Sequence, residues 1–154
     1  MRNILFICYG NICRSPTAEF LFNYHVQQRH LSSVFHADSA AVGRDNIFSD
    51  GSGCGVYPPC ALLLRERRGI DCSAKQARLL TAADYDRYEQ LLVMDRQNYR
   101  AALRILGGDP LGKVRYLGDC IGGGEIEDPW YTLEFGKAFD EIERAVVSLL
   151  DSLK

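Results

Sequence analysis

A cysteine and an arginine lie six residues apart near the start of the chain, within the segment Cys8-Tyr9-Gly10-Asn11-Ile12-Cys13-Arg14-Ser15-Pro16. An apolar run typical of a buried strand precedes this segment. Ser15 is a good helix N-cap and Pro16 a good first helical residue, so a helix is expected to follow. A loop between a strand and a helix N-terminus directs several backbone N–H groups into one concavity, where an anion binds.

The residue types in this loop favour a tetrahedral oxyanion as the ligand. Gly10 and Asn11 tolerate the positive φ angles that a tight anion-binding loop needs. The guanidinium of Arg14 can hold two phosphate oxygens at once. The backbone N–H groups, the helix N-terminus, Arg14 and the Ser15 hydroxyl would also stabilise a thiolate on Cys8. The loop therefore predicts a thiolate nucleophile held beside a bound phosphate ester.

Such a displacement also needs an acid, because a thiolate cannot protonate the departing oxygen. Asp128 is the candidate, since it lies on a glycine-rich loop that Pro129 stiffens. The aromatic side chains of Trp130 and Tyr131 follow it, and together with Tyr9 they are expected to form the rim of the substrate pocket. Two other acidic residues on the same loop are competing candidates: Glu125 and Glu127.

The elements that must position these residues alternate between strand and helix. Apolar runs alternate with amphipathic stretches, which indicates βαβ units, a parallel sheet and helices on both of its faces. Ligand sites in such sheets form at the carboxyl ends of the strands. The expected strands are 4–8, 34–40, 90–94 and 114–117, with helices from Ser15, over 60–68, over 97–106 and from Phe135, and a long surface loop over 43–57.

The motif Cys8-x5-Arg14-Ser15, followed late in the chain by Asp128-Pro129-Trp130-Tyr131, resembles the low-molecular-weight protein tyrosine phosphatases. The stretch from Cys8 to Glu19 is highly specific to that family. Weaker similarities cover nearly the whole chain: Asp38-Ser39-Ala40, Gly69-Ile70, Ala77-Arg78, Met94-Asp95 and Asn98. The resemblance implies one domain over residues 1–154, built as a four-stranded parallel sheet between two layers of helices.

The resemblance also implies a role for each site residue. Cys8 would form a phosphocysteine intermediate, Arg14 would bind the phosphoryl group, and Asp128 would act as general acid and then as general base. Neither a metal nor a cofactor is implied, and the expected partners are tyrosine-phosphorylated proteins and free oxyanions. The phosphate-binding residues would be Tyr9, Gly10, Asn11, Ile12, Cys13 and Ser15, with Asn11, Ser15 and Ser39 holding the loop in shape.

The chain departs from the family pattern at two places. Tyr9 stands where an aliphatic residue or threonine is usual, which adds an aromatic group to the pocket. Some members carry a histidine before the Ala-Arg pair, whereas residues 74–78 of this chain read Ala-Lys-Gln-Ala-Arg, so that part of the supporting network is missing or replaced.

Six cysteines are present, and none forms a C-x-x-C pair or a metal-binding pattern with the three histidines. Cys13 is either a buried spacer or the redox partner that traps an oxidised Cys8 as a disulfide. The other four are expected to be packing residues: Cys54, Cys60, Cys72 and Cys120.

Composition excludes several classes of function. The net charge of −2 leaves no basic excess for nucleic acid. No apolar run reaches the roughly 20 residues of a membrane span, and the apolar start is too short for a signal peptide. A cytoplasmic protein without membrane or nucleic-acid partners is expected.

Three other functions share parts of the motif. Phosphoarginine hydrolysis occurs in the same family, but members with that preference tend to have a small polar residue where Tyr9 and Ile12 line the pocket. Arsenate reduction on this fold needs a relay of further cysteines, for which Cys54 and Cys60 are the only candidate pair. A phosphopeptide-binding domain without catalysis would keep Arg14 but would not need both Cys8 and Asp128.

Overall fold

Four parallel strands form the central sheet in the computed structural model, which describes residues 1–154. The strands lie in the order β2-β1-β3-β4, so β1 has a neighbour on each side. Their bounds match the predicted strands to within two residues and confirm the parallel sheet: β1 (Arg2–Cys8), β2 (Phe35–Ala41), β3 (Gln90–Val93) and β4 (Val114–Tyr116).

Six α-helices and one 3₁₀ turn connect and cover the strands. None of the helices combines the length and the apolar character that a membrane crossing requires. Residues 43–57 form the predicted long loop between β2 and the next helix. The helices are α1 (Arg14–Gln28), α2 (Pro58–Arg68), α3 (Asp84–Arg87), α4 (Arg96–Leu106), α5 (Pro129–Thr132) and α6 (Phe135–Leu153), with the 3₁₀ turn at Leu117–Ile121.

The alternation of side chains along β1 produces two cores. Ile4, Phe6 and Cys8 belong to the larger core, together with apolar residues of α1 and α6. Leu5 and Ile7 belong to a smaller core that includes Ala102 of α4. Full burial of one such large side chain contributes about 1.5–3 kcal/mol, so the central strand is held firmly from both faces.

The rigid end of β1 therefore determines where the predicted site lies. The chain runs from β1 to β2 on one side of the sheet and later returns to β3 on the other side. This change of direction opens a crevice at the carboxyl end of β1, where ligands bind in open α/β sheets. The segment from Cys8 to Ser15 occupies this position.

The start of α1 differs from the prediction. The helix begins at Arg14, and its N-cap is Cys13, whose side chain makes no capping hydrogen bond. Ser15 lies inside the first turn, and its hydroxyl contacts the Cys8 sulfur instead of a backbone N–H group. Ser15 thus has a role at the site that competes with capping.

Glu143 of α6 connects three helices on one side of the sheet. Its carboxylate accepts hydrogen bonds from Arg68 of α2, at 2.7 Å from Nε, and lies 3.0 Å from Nε2 of His25 in α1. Burial alone would raise the pKa of Glu143, but the hydrogen bonds from Arg68 and His25 outweigh it and hold the pKa below its usual range.

We expect Glu143→Gln to lower the free energy of unfolding by about 1–2 kcal/mol at neutral pH, because charged hydrogen bonds are lost. A lowered pKa in the folded state contributes stability above the unfolded pKa of about 4.3, and that contribution disappears as pH falls through the folded value. Urea unfolding between about pH 6 and about pH 3 should therefore show the difference from wild type shrinking. The control is Glu141→Gln, since Glu141 makes only a 3.9 Å contact with Lys137. An equal loss of unfolding free energy in both variants would contradict a stabilising role for the hydrogen bonds of Glu143.

Candidate active site

The loop after β1 is shaped as an anion-binding concavity. Asn11 has a φ of 56°, a left-handed conformation that turns the chain sharply, and its side chain is buried. The loop has four backbone N–H groups that donate no hydrogen bond within the protein: those of Tyr9, Gly10, Ile12 and Cys13. The first N–H groups of α1 also lack helical partners, as at any helix start. Together these donors make the site complementary to an oxyanion.

Asn11 holds the loop through its side chain. The Nδ2 group donates to the hydroxyls of Ser15 and Ser39, both at 2.8 Å. The Oδ1 atom accepts from the backbone N–H of Arg78 at 3.0 Å. These contacts connect the loop to α1, to β2 and to the segment before α3, and they support the predicted structural roles of Asn11, Ser15 and Ser39.

The Cys8 sulfur lies at the centre of these contacts. It is 2.9 Å from the hydroxyl oxygen of Ser15 and accepts from the backbone N–H of Asn11 at 3.3 Å. Since the Ser15 oxygen already accepts from Asn11, its own proton is free to point at the sulfur. Two hydrogen-bond donors are thus directed at the Cys8 sulfur.

An ion pair behind Ser39 completes this network and was not predicted. The Ser39 hydroxyl donates to Oε1 of Glu19 at 2.5 Å, and the same oxygen lies 2.9 Å from Nζ of Lys75. Lys75 also donates to the carbonyl of Ser39 at 3.3 Å. Lys75, in the stretch that departs from the family pattern, therefore pairs a largely buried carboxylate.

Arg14 is buried and held by three acceptors. Nη1 donates to Asp95 at 2.8 Å and to the carbonyl of Ile126 at 2.9 Å, and Nη2 is 3.4 Å from Asp128. Asp95 is itself fixed, because it caps α4 by accepting from the backbone N–H of Asn98 at 2.8 Å. The Nε–H and one Nη2–H of Arg14 make no hydrogen bond with the protein, and this fork is suited to an oxyanion in the pocket.

Among the three acidic residues of the late loop, Asp128 alone lines the pocket that Cys8 and Arg14 also line. It caps the short helix α5, where its Oδ1 accepts from the backbone N–H of Trp130 at 3.0 Å. Glu125 instead accepts from the backbone N–H of Arg96 at 2.9 Å. Glu127 faces a different depression. The structure thus favours Asp128 over both competitors.

The mouth of the pocket is aromatic, and two of its rings belong to residues that the sequence analysis did not name. Cys8 and Arg14, at the inner end, are 4% and 3% exposed, whereas Tyr9, Trp130 and Tyr131 are 45%, 57% and 83% exposed. Tyr57 and Phe135 also line it, with the Tyr57 ring 5.2 Å from that of Trp130 and 5.9 Å from that of Phe135. The pocket therefore has a deep polar end and a wide aromatic entrance.

The long loop of residues 43–57 supports one part of this entrance. The Tyr9 hydroxyl donates to Asp45 at 3.0 Å, and this hydrogen bond, with some burial, raises the pKa of the Tyr9 phenol. The Tyr9 ring lies so close to Gly43 that a Cβ atom there would approach within 2.5 Å of it. Asn46 donates to the carbonyl of Gly10 at 3.1 Å. The bulky residue after Cys8 is thus matched by a glycine and by one hydrogen bond to the long loop, which also contacts Gly10.

Cys13 differs from its predicted role. It is bonded to Cys60 in the first turn of α2, while Cys8 remains a free thiol. The expectation that Cys60 is only a packing residue is therefore wrong, and a disulfide is present where none was expected. The spacing along the sequence carried no signal for this pair, because 47 positions separate the two residues.

A parallel α/β sheet with a cysteine, an anion-binding loop and an arginine after its first strand is the arrangement of a phosphate-binding protein. Residues 3–154 match the family model described as low molecular weight phosphotyrosine protein phosphatase. The chain belongs to this family.

Related proteins match over most of their length. Low molecular weight protein-tyrosine-phosphatase YfkJ of Bacillus subtilis is 29% identical, over 100% of this chain and 97% of the relative. Its crystal structure superposes with a TM-score of 0.90, covering 99% of this chain and 94% of that one. The human low molecular weight phosphotyrosine protein phosphatase is 34% identical, over 84% of this chain and 80% of the relative.

Two substitutions at Asn11 separate the left-handed backbone conformation of the loop from the side-chain hydrogen bonds that hold it. Asn11→Gly keeps the left-handed conformation but removes three hydrogen bonds, which should cost about 1–3 kcal/mol of unfolding free energy. Asn11→Ala should cost about 1 kcal/mol more, because it adds the steric penalty of the left-handed region. Urea unfolding measures stability, and calorimetric titration with inorganic phosphate measures the site. Wild-type stability and phosphate affinity in Asn11→Gly would show that the side chain does not hold the loop.

Proposed function

We propose that this protein hydrolyses phosphotyrosine in proteins through a phosphocysteine intermediate. One observation carries the proposal: Cys8, Arg14 and Asp128 line a single pocket, with two hydrogen-bond donors directed at the Cys8 sulfur. These are the nucleophile, the phosphate ligand and the proton donor that a two-step thiol displacement requires.

In the first step, the Cys8 thiolate attacks phosphorus and the bond to the tyrosine oxygen breaks. Asp128 gives its proton to the departing phenolate. The loop N–H groups and the free N–H groups of Arg14 bind the equatorial oxygens, whose geometry becomes trigonal in the transition state. Donors already fixed in place stabilise this charge without reorganising, which is the largest electrostatic contribution to such catalysis.

In the second step, water attacks the phosphocysteine and the sulfur–phosphorus bond breaks. The Asp128 carboxylate now accepts a proton from that water, and Cys8 leaves as a thiolate. The Ser15 hydroxyl, which is directed at the sulfur by Asn11, stabilises the thiolate as it forms. The same donor therefore assists both steps, because the sulfur carries negative charge at the start and at the end.

The depth of the pocket supports phosphotyrosine as the substrate. Cys8 and Arg14 are buried, and the aromatic rings stand at the entrance, so a phosphoryl group must be carried inward on a long, flat side chain. A phosphoserine side chain is shorter and has no ring to lie against the aromatic entrance. A relative from Vibrio vulnificus, 25% identical with a TM-score of 0.82 over 98% of each chain, was solved with benzylphosphonate, an aromatic ring joined to a tetrahedral phosphonate.

No observation favours the other functions. Tyr9 and Ile12 both line the pocket, where a preference for phosphoarginine would call for a small polar residue. Cys54 and Cys60, the candidate relay pair for arsenate, are not joined, since Cys60 is bonded to Cys13. A domain that only binds phosphopeptides would have no use for an acid beside the nucleophile.

The test compares substrates whose leaving groups differ. Asp128→Asn should lower kcat by about 10²–10⁴-fold on phosphotyrosine peptide, which needs a proton on its leaving oxygen, and far less on an aryl phosphate with an acidic phenol. Cys8→Ser should abolish turnover of both substrates. Acid quenching of the wild type should leave a phosphoryl group on the peptide that contains Cys8, seen by mass spectrometry.

The control is Glu127→Gln, which removes the neighbouring carboxylate and should behave as wild type on both substrates. A uniform loss on both substrates in Asp128→Asn would reject Asp128 as the leaving-group acid. Turnover by Cys8→Ser would reject the mechanism as a whole.

A further inference from the structure

Two of the six cysteines are linked at the edge of the pocket. Cys13 lies at the end of the phosphate-binding loop, Cys60 lies in the first turn of α2, and their Cα atoms are 5.7 Å apart, within the usual range of about 4.4–6.8 Å for disulfides. A backbone hydrogen bond runs beside this link, from the N–H of Tyr57 to the carbonyl of Ile12 at 2.8 Å. The start of α2 is therefore attached to the loop at two adjacent points.

The pair differs from the other cysteines in its surroundings. Cys13 lines the pocket and is partly exposed, so a small oxidant can reach it, while Cys60 is buried directly behind it. Burial raises the pKa of the Cys72 and Cys120 thiols, and neither of them lines the pocket. Cys54 is free and is not bonded to any of the others.

The disulfide between Cys13 and Cys60 determines which thiols can react with Cys8. Cys8 and Cys13 line the same pocket, so a free Cys13 thiol would be a neighbour available to an oxidised Cys8. Once Cys13 is bonded to Cys60, its sulfur is occupied, and Cys8 keeps its contacts with Ser15 and Asn11. In this geometry, Cys13 can therefore be oxidised without loss of the Cys8 thiol.

We propose that Cys13 and Cys60 form a reversible redox site that accepts oxidation from disulfide reagents while leaving Cys8 as a free, reactive thiol. This proposal rests on the proposed function only where activity is the readout. Oxidised glutathione is a suitable oxidant. The Cys13 thiolate attacks one glutathione sulfur and expels one glutathione thiolate. The Cys60 thiolate then attacks the Cys13 sulfur of the mixed disulfide and expels the second. Two electrons pass from the protein to glutathione, and one protein disulfide forms.

Cys60 is consequently the residue that protects the nucleophile from its neighbour. Without it, the mixed disulfide on Cys13 has no buried thiol behind it, and the remaining thiolate in the pocket is Cys8. Attack by Cys8 on the Cys13 sulfur would expel glutathione and produce a Cys8–Cys13 disulfide. That product has no nucleophile and no phosphatase activity.

The experiment treats the fully reduced, full-length protein with oxidised glutathione and maps disulfides by mass spectrometry after non-reducing proteolysis. After the oxidation and before the proteolysis, the remaining free thiols are blocked with iodoacetamide. In the wild type we expect the peptides of Cys13 and Cys60 to be joined, Cys8 to be alkylated, and hydrolysis of an aryl phosphate before blocking to equal that of the reduced sample. In Cys60→Ser we expect loss of most activity on oxidation, a Cys8–Cys13 disulfide, and recovery with dithiothreitol. Cys54→Ser is the matched control and should behave as wild type.

Disulfide mapping of the wild type alone tests whether Cys13 and Cys60 form the redox site. This test holds even if Cys60→Ser and a second variant, Cys60→Ala, fail to fold. Alkylation of both Cys13 and Cys60, or a disulfide that includes Cys8, would overturn it. Equal loss of activity in wild type and Cys60→Ser would overturn the protective role. If the reduced protein hydrolyses no aryl phosphate, the proposed function fails, while the disulfide map still tests the redox site.

Discussion

The site depends on the hydrogen bonds that the side chain of Asn11 makes. It lies in a left-handed position inside the loop after β1, and it bonds to α1 through Ser15, to β2 through Ser39 and to the backbone at Arg78. Glycine would allow the same turn but would offer none of these hydrogen bonds. The direction of the hydrogen bonds also matters, because the donation from Asn11 to the Ser15 oxygen leaves the Ser15 proton for the Cys8 sulfur. A single buried amide thus sets both the shape of the loop and the direction of the Ser15 hydroxyl beside the Cys8 sulfur.

The charged groups around this loop are paired before any substrate arrives. Burying an ion is costly unless a partner and hydrogen bonds compensate it. Arg14 lies between Asp95 and Asp128, and Glu19 lies against Lys75 and Ser39. Each pair joins elements that are far apart in sequence, so the sheet and its helices fix the geometry of the charges. The resulting site presents oriented donors to an incoming phosphoryl group and needs little rearrangement.

Local patterns predicted the parts of this site that are close together in sequence. The strand, the loop from Cys8 to Arg14 and the following helix could all be derived from residue types within fifteen positions. Asp128 required the resemblance to a family, because an Asp-Pro pair alone is most often a turn. The sequence predicted none of the contacts that Lys75, Asp95 and Cys60 make, because each partner lies 47 to 81 positions away. The cap of α1 was predicted wrongly because the hydroxyl of Ser15 serves the sulfur.

The most direct test of this account is a crystal structure of the reduced protein with orthovanadate, which copies the trigonal geometry of phosphoryl transfer. We expect vanadium bonded to the Cys8 sulfur, its equatorial oxygens on the loop N–H groups and on Nε and Nη2 of Arg14, and Asp128 next to the apical oxygen. The loop should superpose on the ligand-free one with the Asn11 hydrogen bonds unchanged. Vanadate bound away from the sulfur, or a loop that must refold and break the Asn11 contacts to receive it, would contradict a preformed site.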